Sequence, residues 1–163
     1  MNEPLTLIVA VLACFIAFLA WRSQRQHNWL SVRPLASVTF NDLNEKVIVT
    51  LRNNGTGPLI VKSLRVKDAA GMARNSLYSW IPQHLVNPHE LWFVGEVDGR
   101  SIRPGGSVTL LKYRHPSHYL RDEMRRALAP LTVVVEFEDI YERKQSSYER
   151  SLRWFGREEP LKG

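Results

Sequence analysis

The chain opens on an apolar run: residues 5–21 are apolar except for Thr6 and Cys14. As a helix these positions cover roughly 26 Å, near the lower limit for a hydrocarbon core of about 30 Å. The run is therefore predicted as a transmembrane helix, with residues 1–23 forming an anchor. Residues 24–34 then mix polar, basic and aromatic groups without a period, and Pro34 disfavours helix at Arg33, so this stretch reads as a short juxtamembrane tether. From residue 35 onward apolar and polar positions alternate, which is the period of half-buried strands.

The alternation predicts strands over 35–40, 46–52, 59–66, 90–97, 107–113, 131–138 and 147–155. In the second, Val47, Val49 and Leu51 share a face; in the sixth, Leu131, Val133, Val135 and Phe137 do so; the last carries Tyr148, Leu152 and Trp154. Turn chemistry separates them: Asn41-Asp42, the segment 53–58 with its two glycines, Val97-Asp98-Gly99, and Pro104-Gly105, which suits the centre of a type II turn. Residues 77–81 fit a short strand or a helical turn equally. One soluble helix is predicted over 117–129, where Leu120, Met124, Ala127 and Leu128 form an apolar stripe. Arg121, Arg125 and Arg126 are read as lying off that stripe, with Ser117 as the cap and Pro130 as the stop. The expected architecture is mainly β: a seven-or-so-stranded antiparallel sandwich over 35–155 with one inserted α-helix, then a flexible tail at 156–163.

Two stretches carry a resemblance. The run Val47-Ile48-Val49-Thr50-Leu51-Arg52-Asn53-Asn54-Gly55-Thr56-Gly57-Pro58, followed by Leu59-Ile60-Val61, is one. The later Ile102-Arg103-Pro104-Gly105-Gly106-Ser107-Val108-Thr109-Leu110 is the other. Together they resemble bacterial membrane-anchored immunoglobulin-like or fibronectin-III-like accessory domains. The resemblance covers about residues 33–155 and implies a binding or structural module, an inference from fold and not from a site.

The flanks of the apolar run bear on location. Met-Asn-Glu-Pro precedes it and Ala20-Trp21-Arg22 follows, which does not match a cleaved secretory signal. Val11-Leu12-Ala13-Cys14 has the outline of a lipoprotein signal, but Phe15, Ile16, Phe18 and Leu19 would then stand directly behind an acylated cysteine. An uncleaved single-pass anchor is favoured, with Trp21, Arg22, Arg25 and Trp29 at the membrane interface. Arg22, Arg25 and Arg33 follow the run with no acid before Asp42, whereas Glu3 precedes it. That asymmetry predicts an inner-membrane protein whose soluble domain is cytoplasmic; the competing reading is an exported, extracytoplasmic domain behind an uncleaved signal.

Charge adds a partner class. The net charge of +6 comes largely from sixteen arginines spread along the chain, a balance suited to an anionic membrane surface. Nucleic acid is disfavoured, because no recognition helix, zinc finger or aromatic ribonucleoprotein motif accompanies the charge. With Cys14 the sole cysteine, and inside the apolar run, the soluble part holds no disulfide and no cysteine zinc site.

Candidate chemistry is sparse. His115 and His118 could form half of a metal site with His84 and His89, although two solvated histidines explain the motif as well. Glu136, Glu138, Asp139 and Glu142 invite comparison with catalytic carboxylate pairs, against a solvated face paired with Arg143, Lys144 or Arg150. No nucleophile elbow and no phosphate loop is present. Arg114, Arg121, Arg125 and Arg126 form a candidate basic partner surface. Among the aromatics Trp80, Trp92, Phe93, Tyr113, Phe137, Tyr148 and Trp154, read mainly as core, Trp80 and Trp92 are the candidate partner residues. The expectation is a non-enzymatic interaction or scaffolding module without cofactor or metal. Its partners would be the lipid bilayer and another membrane or membrane-associated protein, as for an accessory subunit of a bacterial membrane complex. The alternative is an exported ligand- or metal-binding domain, or a small envelope hydrolase, using the region from His84 to His118.

Overall fold

The computed structural model describes residues 3–157 apart from 44 and 116; most of the expected tail, residues 158–163, lies outside the described residues. The apolar run forms helix α1 (Glu3–Ser31). Its segment Thr6–Trp29 contains a stretch of mean hydropathy 2.1, none of it buried within the protein, and is long and apolar enough to cross a membrane. The helix continues well past the apolar run, through most of the stretch read as a tether. Only residues 32–35 separate it from the first strand.

Nine strands follow among the described residues, rather than about seven: β1 (Ala36–Leu43), β2 (Lys46–Asn53), β3 (Leu59–Lys67), β4 (Ala73–Arg74), β5 (Leu91–Phe93), β6 (Ser101–Ile102), β7 (Ser107–Arg114), β8 (Thr132–Glu138) and β9 (Tyr148–Ser151). They make two antiparallel sheets. One has the order β1-β2-β7-β5; the other runs β4-β3-β8-β9, with β6 also paired to β3. Helix α2 (His118–Leu128) lies between β7 and β8 in sequence and packs against β2 and β7.

Period-two patterning explains the long strands. Val47, Val49 and Leu51 of β2 are fully buried, as are Val133 and Val135 of β8, with Leu131 and Phe137 nearly so. Side chains from both sheets and from α2 join a single apolar cluster, and each fully buried Val or Leu contributes about 1.5–3 kcal/mol over leaving it in water. Where β2 meets β7 the register shifts between Val49 and Thr50. This bulge lets consecutive Leu110 and Leu111 both bury, which strict alternation forbids.

Three sequence expectations are corrected. Asn41-Asp42 is not a turn: β1 runs through it, with Asn41 opposite Ile48 and Asp42 opposite Val47. A buried partner for Asp42, described below, outweighs the local turn preference. The last strand ends at Ser151 and gives way to a 3-10 turn, Arg153–Gly156, that packs on α2. The expected strand over 90–97 is only three residues long. Of the two readings open for residues 77–81, the helical turn is the one found, as a 3-10 turn over Tyr78–Trp80. The Pro104-Gly105 turn is as expected: the Gly106 N–H donates to the Arg103 carbonyl at 2.9 Å and Gly105 takes φ +70°.

Residues 32–35 are strapped to the domain instead of swinging from it. The Thr56 and Asn54 N–H groups donate to the carbonyls of Arg33 (3.1 Å) and Leu35 (2.8 Å). Asn53, fully buried, accepts from the Leu35 N–H (3.2 Å) and the Gly55 N–H (2.9 Å) through Oδ1. Its Nδ2 donates to the carbonyls of Gly57 (2.8 Å) and Ile102 (3.0 Å). Gly57 has no Cβ because there is no room for one: it would stand 1.7 Å from the Val32 carbonyl oxygen.

Candidate functional site

The four residues expected at a membrane interface lie on the last turns of α1, and there they meet the loop between β8 and β9. Asp139 builds that loop. Its nearly inaccessible carboxylate accepts from the N–H groups of Tyr141 (2.8 Å) and Arg143 (3.1 Å) and from Arg143 Nε (3.2 Å). The Arg143 guanidinium is thereby aimed at α1, where it sits 4.3 Å from the centre of the Trp29 ring. From its own helix Arg25 stacks over Trp29 (4.9 Å) and Trp21 (5.4 Å). Cations over indole faces are held by the ring quadrupole, about 0.5–1 kcal/mol each where exposed. Between helix and loop lies a half-open groove of about 730 Å³, bordered by Arg22, Arg33 and Lys144 as well as the stacked arginines, within the size range of ligand pockets. Asp139, Arg143 and Lys144 stand in the sequence as a carboxylate with candidate basic partners, and nothing in that run of charge shows that the loop meets α1.

The expected basic surface divides. Arg114 and Arg126 are exposed, but Arg121 and Arg125 are buried, so they are not a solvated face. They share the inner side of α2 with Met124 and Leu128, at spacings of three and four residues. Arg125 Nε lies 3.2 Å from Asp42 Oδ2, and its Nη2 donates to the Arg157 carbonyl at 2.7 Å. Arg121 Nη2 is 3.2 Å from His118 Nδ1. The helix starts without the expected side-chain cap: Ser117 instead uses its N–H to donate to His115 Nδ1 at 2.9 Å.

The aromatic set divides too. Tyr113 and Phe137 are buried, and Tyr148 and Trp154 are partly so; Trp92 and Phe93 face solvent at 52% and 37% exposure. Phe93 stacks on Tyr78 with ring centres 3.9 Å apart. These rings lie on β5, an edge strand, and beside it. Trp80 is half-buried under Arg74, whose guanidinium is 4.3 Å from the ring centre. At the opposite edge, the Tyr148 hydroxyl accepts from the outward-facing Val38 N–H of β1 at 3.2 Å, and Phe40 of β1 stacks on Trp154 at 5.7 Å. That edge is covered where β5 is open.

The histidines do not converge. His84 pairs with Glu123 (3.0 Å) and His115 with Glu90 (3.5 Å), and among the described residues no group of three or more His, Cys, Asp or Glu is placed to hold a metal. The acids in and after β8 are likewise dispersed: Glu138 pairs with Lys62 of β3 at 3.2 Å, Glu136 is exposed, and Asp139 serves the following loop. Tyr113 has a raised pKa, first because burial disfavours the phenolate and then because Glu90 and Glu123 repel it. Since the folded-state pKa is above the unfolded value of about 10, this group's contribution to stability is intact below pH 10 and is lost as pH rises beyond it. Unfolding midpoints of the wild type are therefore expected to fall more steeply above pH 10 than those of Tyr113→Phe; parallel curves would contradict the assignment.

No protein-family model, no curated protein and no solved structure matches this chain.

Proposed function

We propose that the protein is a single-pass, membrane-anchored interaction module without enzymatic activity. In this reading α1 is an uncleaved anchor in the inner membrane, the β-rich part is an immunoglobulin-like domain on the cytoplasmic side, and the whole is an accessory subunit of a bacterial membrane complex. The observation that carries it is the join between helix and domain. An apolar, unburied helix runs into a strap bonded at both sides of the β2–β3 turn, so an inserted helix would hold the domain at a fixed attitude to the bilayer. A flexible linker would be expected of a module that searches for distant partners. The edge strand β5, with Trp92 exposed on its outer face and Phe93 half-exposed against Tyr78 on the other, supplies a surface for a neighbouring membrane protein, since exposed aromatics at an edge are characteristic of binding surfaces. The basic residues after the apolar run support the cytoplasmic side.

Two measurements test this. After alkaline carbonate washing, the intact chain is expected in the membrane pellet, with its domain protected from protease in intact spheroplasts. Recovery in the soluble fraction, or a chain cut behind the apolar run, rejects the anchor; digestion in spheroplasts rejects the cytoplasmic side. Trp92→Ser, which removes the more exposed ring and leaves the Phe93–Tyr78 stack in place, is expected to abolish crosslinks from β5 to a membrane partner while leaving the fold intact. Crosslinks that survive this change reject the edge as the contact.

A further inference from the structure

The groove between α1 and the β8–β9 loop has a charge that its own residues do not balance. Arg22, Arg25, Arg33, Arg143 and Lys144 border it, against the single carboxylate of Asp139. That carboxylate is already engaged by Arg143 and by backbone N–H groups of its loop. Arg22, Arg25, Arg33 and Lys144 form no ion pair with an acid among the described residues. Cations that border one groove repel one another, and an anion bound among them removes that repulsion. Guanidinium groups are suited to that anion when it carries several oxygens, because their planar fork donates to two at once.

Position along the helix selects the source of the anion. Residues 5–20 rise about 24 Å, most of a hydrocarbon core of about 30 Å, and a further headgroup layer of about 5–8 Å follows on each side. Counted from residue 5, Arg25 then stands at the inner boundary of that layer and Trp29 about 6 Å further out within it, while Arg22, one turn below, reaches it by extending its side chain toward the headgroups, with the groove open beside them. We infer that the groove binds the phosphodiester headgroup of an anionic phospholipid. Arg22 and Arg25 approach it from the anchor, Arg33 from the strap, and Arg143 and Lys144 from the domain. A lipid held in this way ties the domain to the membrane surface through a second point besides the covalent strap. The inference rests on the anchor reading and adds to it a specific ligand class.

The test uses the full-length protein in a neutral detergent, offered equimolar phosphatidylglycerol and phosphatidylcholine, with bound lipid counted by native mass spectrometry. At least a tenfold preference for phosphatidylglycerol is expected. Arg33→Glu with Lys144→Glu, both exposed side chains, should reduce it below threefold, and Arg22→Glu, outside the folded domain, should do the same. The charge-matched Lys112→Glu with Arg126→Glu, away from the groove, should keep it. No preference in the wild type, unchanged preference in the groove variants, or equal loss in the charge-matched control would each overturn the assignment. Displacement of the lipid by inorganic phosphate at equal concentration would also overturn it, in favour of a free-anion site. Carbonate extraction of membranes from cells expressing the same proteins separates the two claims. A chain that stays in membranes without selecting lipid sinks only the groove; a chain found in the soluble fraction sinks the anchor as well.

Discussion

Asp42→Ala is expected to destabilise the protein by about 3–5 kcal/mol, the usual result of removing one partner from a buried ion pair. Asp42 lies in β1 with its side chain fully buried, and Arg125, at 7% side-chain exposure, reaches it from α2 at 3.2 Å. Together they join the first sheet to the helix across the apolar cluster. Arg125 also donates to the Arg157 carbonyl and lies 3.4 Å from the carboxylate of Asp122, but that second pair is open to solvent and offsets a withdrawn charge less than the buried Asp42 does. Asp42→Asn, which preserves shape but removes the charge, should cost nearly as much. Asp42→Leu combined with Arg125→Met should recover most of the loss, because an apolar pair of similar volume needs no neutralisation. Urea unfolding of the detergent-solubilised full-length protein measures all three; a loss under about 1 kcal/mol for Asp42→Ala would mean that the pair contributes little beyond its own desolvation.

The same pair shows where sequence reading stopped. Long strands were legible because alternation is a local property: Val47, Val49 and Leu51 announce their common face whatever they pack against. The apolar stripe on α2 was legible for the same reason, at a period of 3.6. Arg121 and Arg125 fall off the apolar stripe and suggest a basic partner surface because arginines seldom bury without a partner, and the partner of Arg125 lies 83 residues upstream, where Asn41-Asp42 mimics a turn. Two-residue strands such as β4 and β6 have no period to detect; they exist because β3 offers them hydrogen bonds. The groove was half legible. Trp21, Arg22, Arg25 and Trp29 follow an apolar run in the order expected of an interface, but that residues 139–145 fold against them depends on how Asp139 closes its loop. The strap was hidden most completely, since Asn53 and Gly57 sit in a stretch whose asparagines and glycines predict only that the chain turns.

Asn53→Ala is the second change with a large expected effect, about 3–4 kcal/mol. Its amide uses both lone-pair directions of Oδ1 and both Nδ2 hydrogens. Alanine would leave two N–H groups and two carbonyls with nothing in their place, at about 1–3 kcal/mol for each that water cannot reach. Their sum is not expected in full, because Leu35 and residue 55 lie near the strap and gain water when it loosens. That loosening is the informative part. If the strap sets the attitude of the domain to the anchor, Asn53→Ala should make residues 32–35 cleavable by protease under conditions where the folded domain resists. Gly57→Ala should open the same bonds from the other side, by forcing a Cβ against the Val32 carbonyl. A global loss of stability with residues 32–35 still protected until the whole domain unfolds would instead show that Asn53 serves only the β2–β3 turn, leaving the strap to be held by the backbone bonds of Arg33 and Leu35 alone.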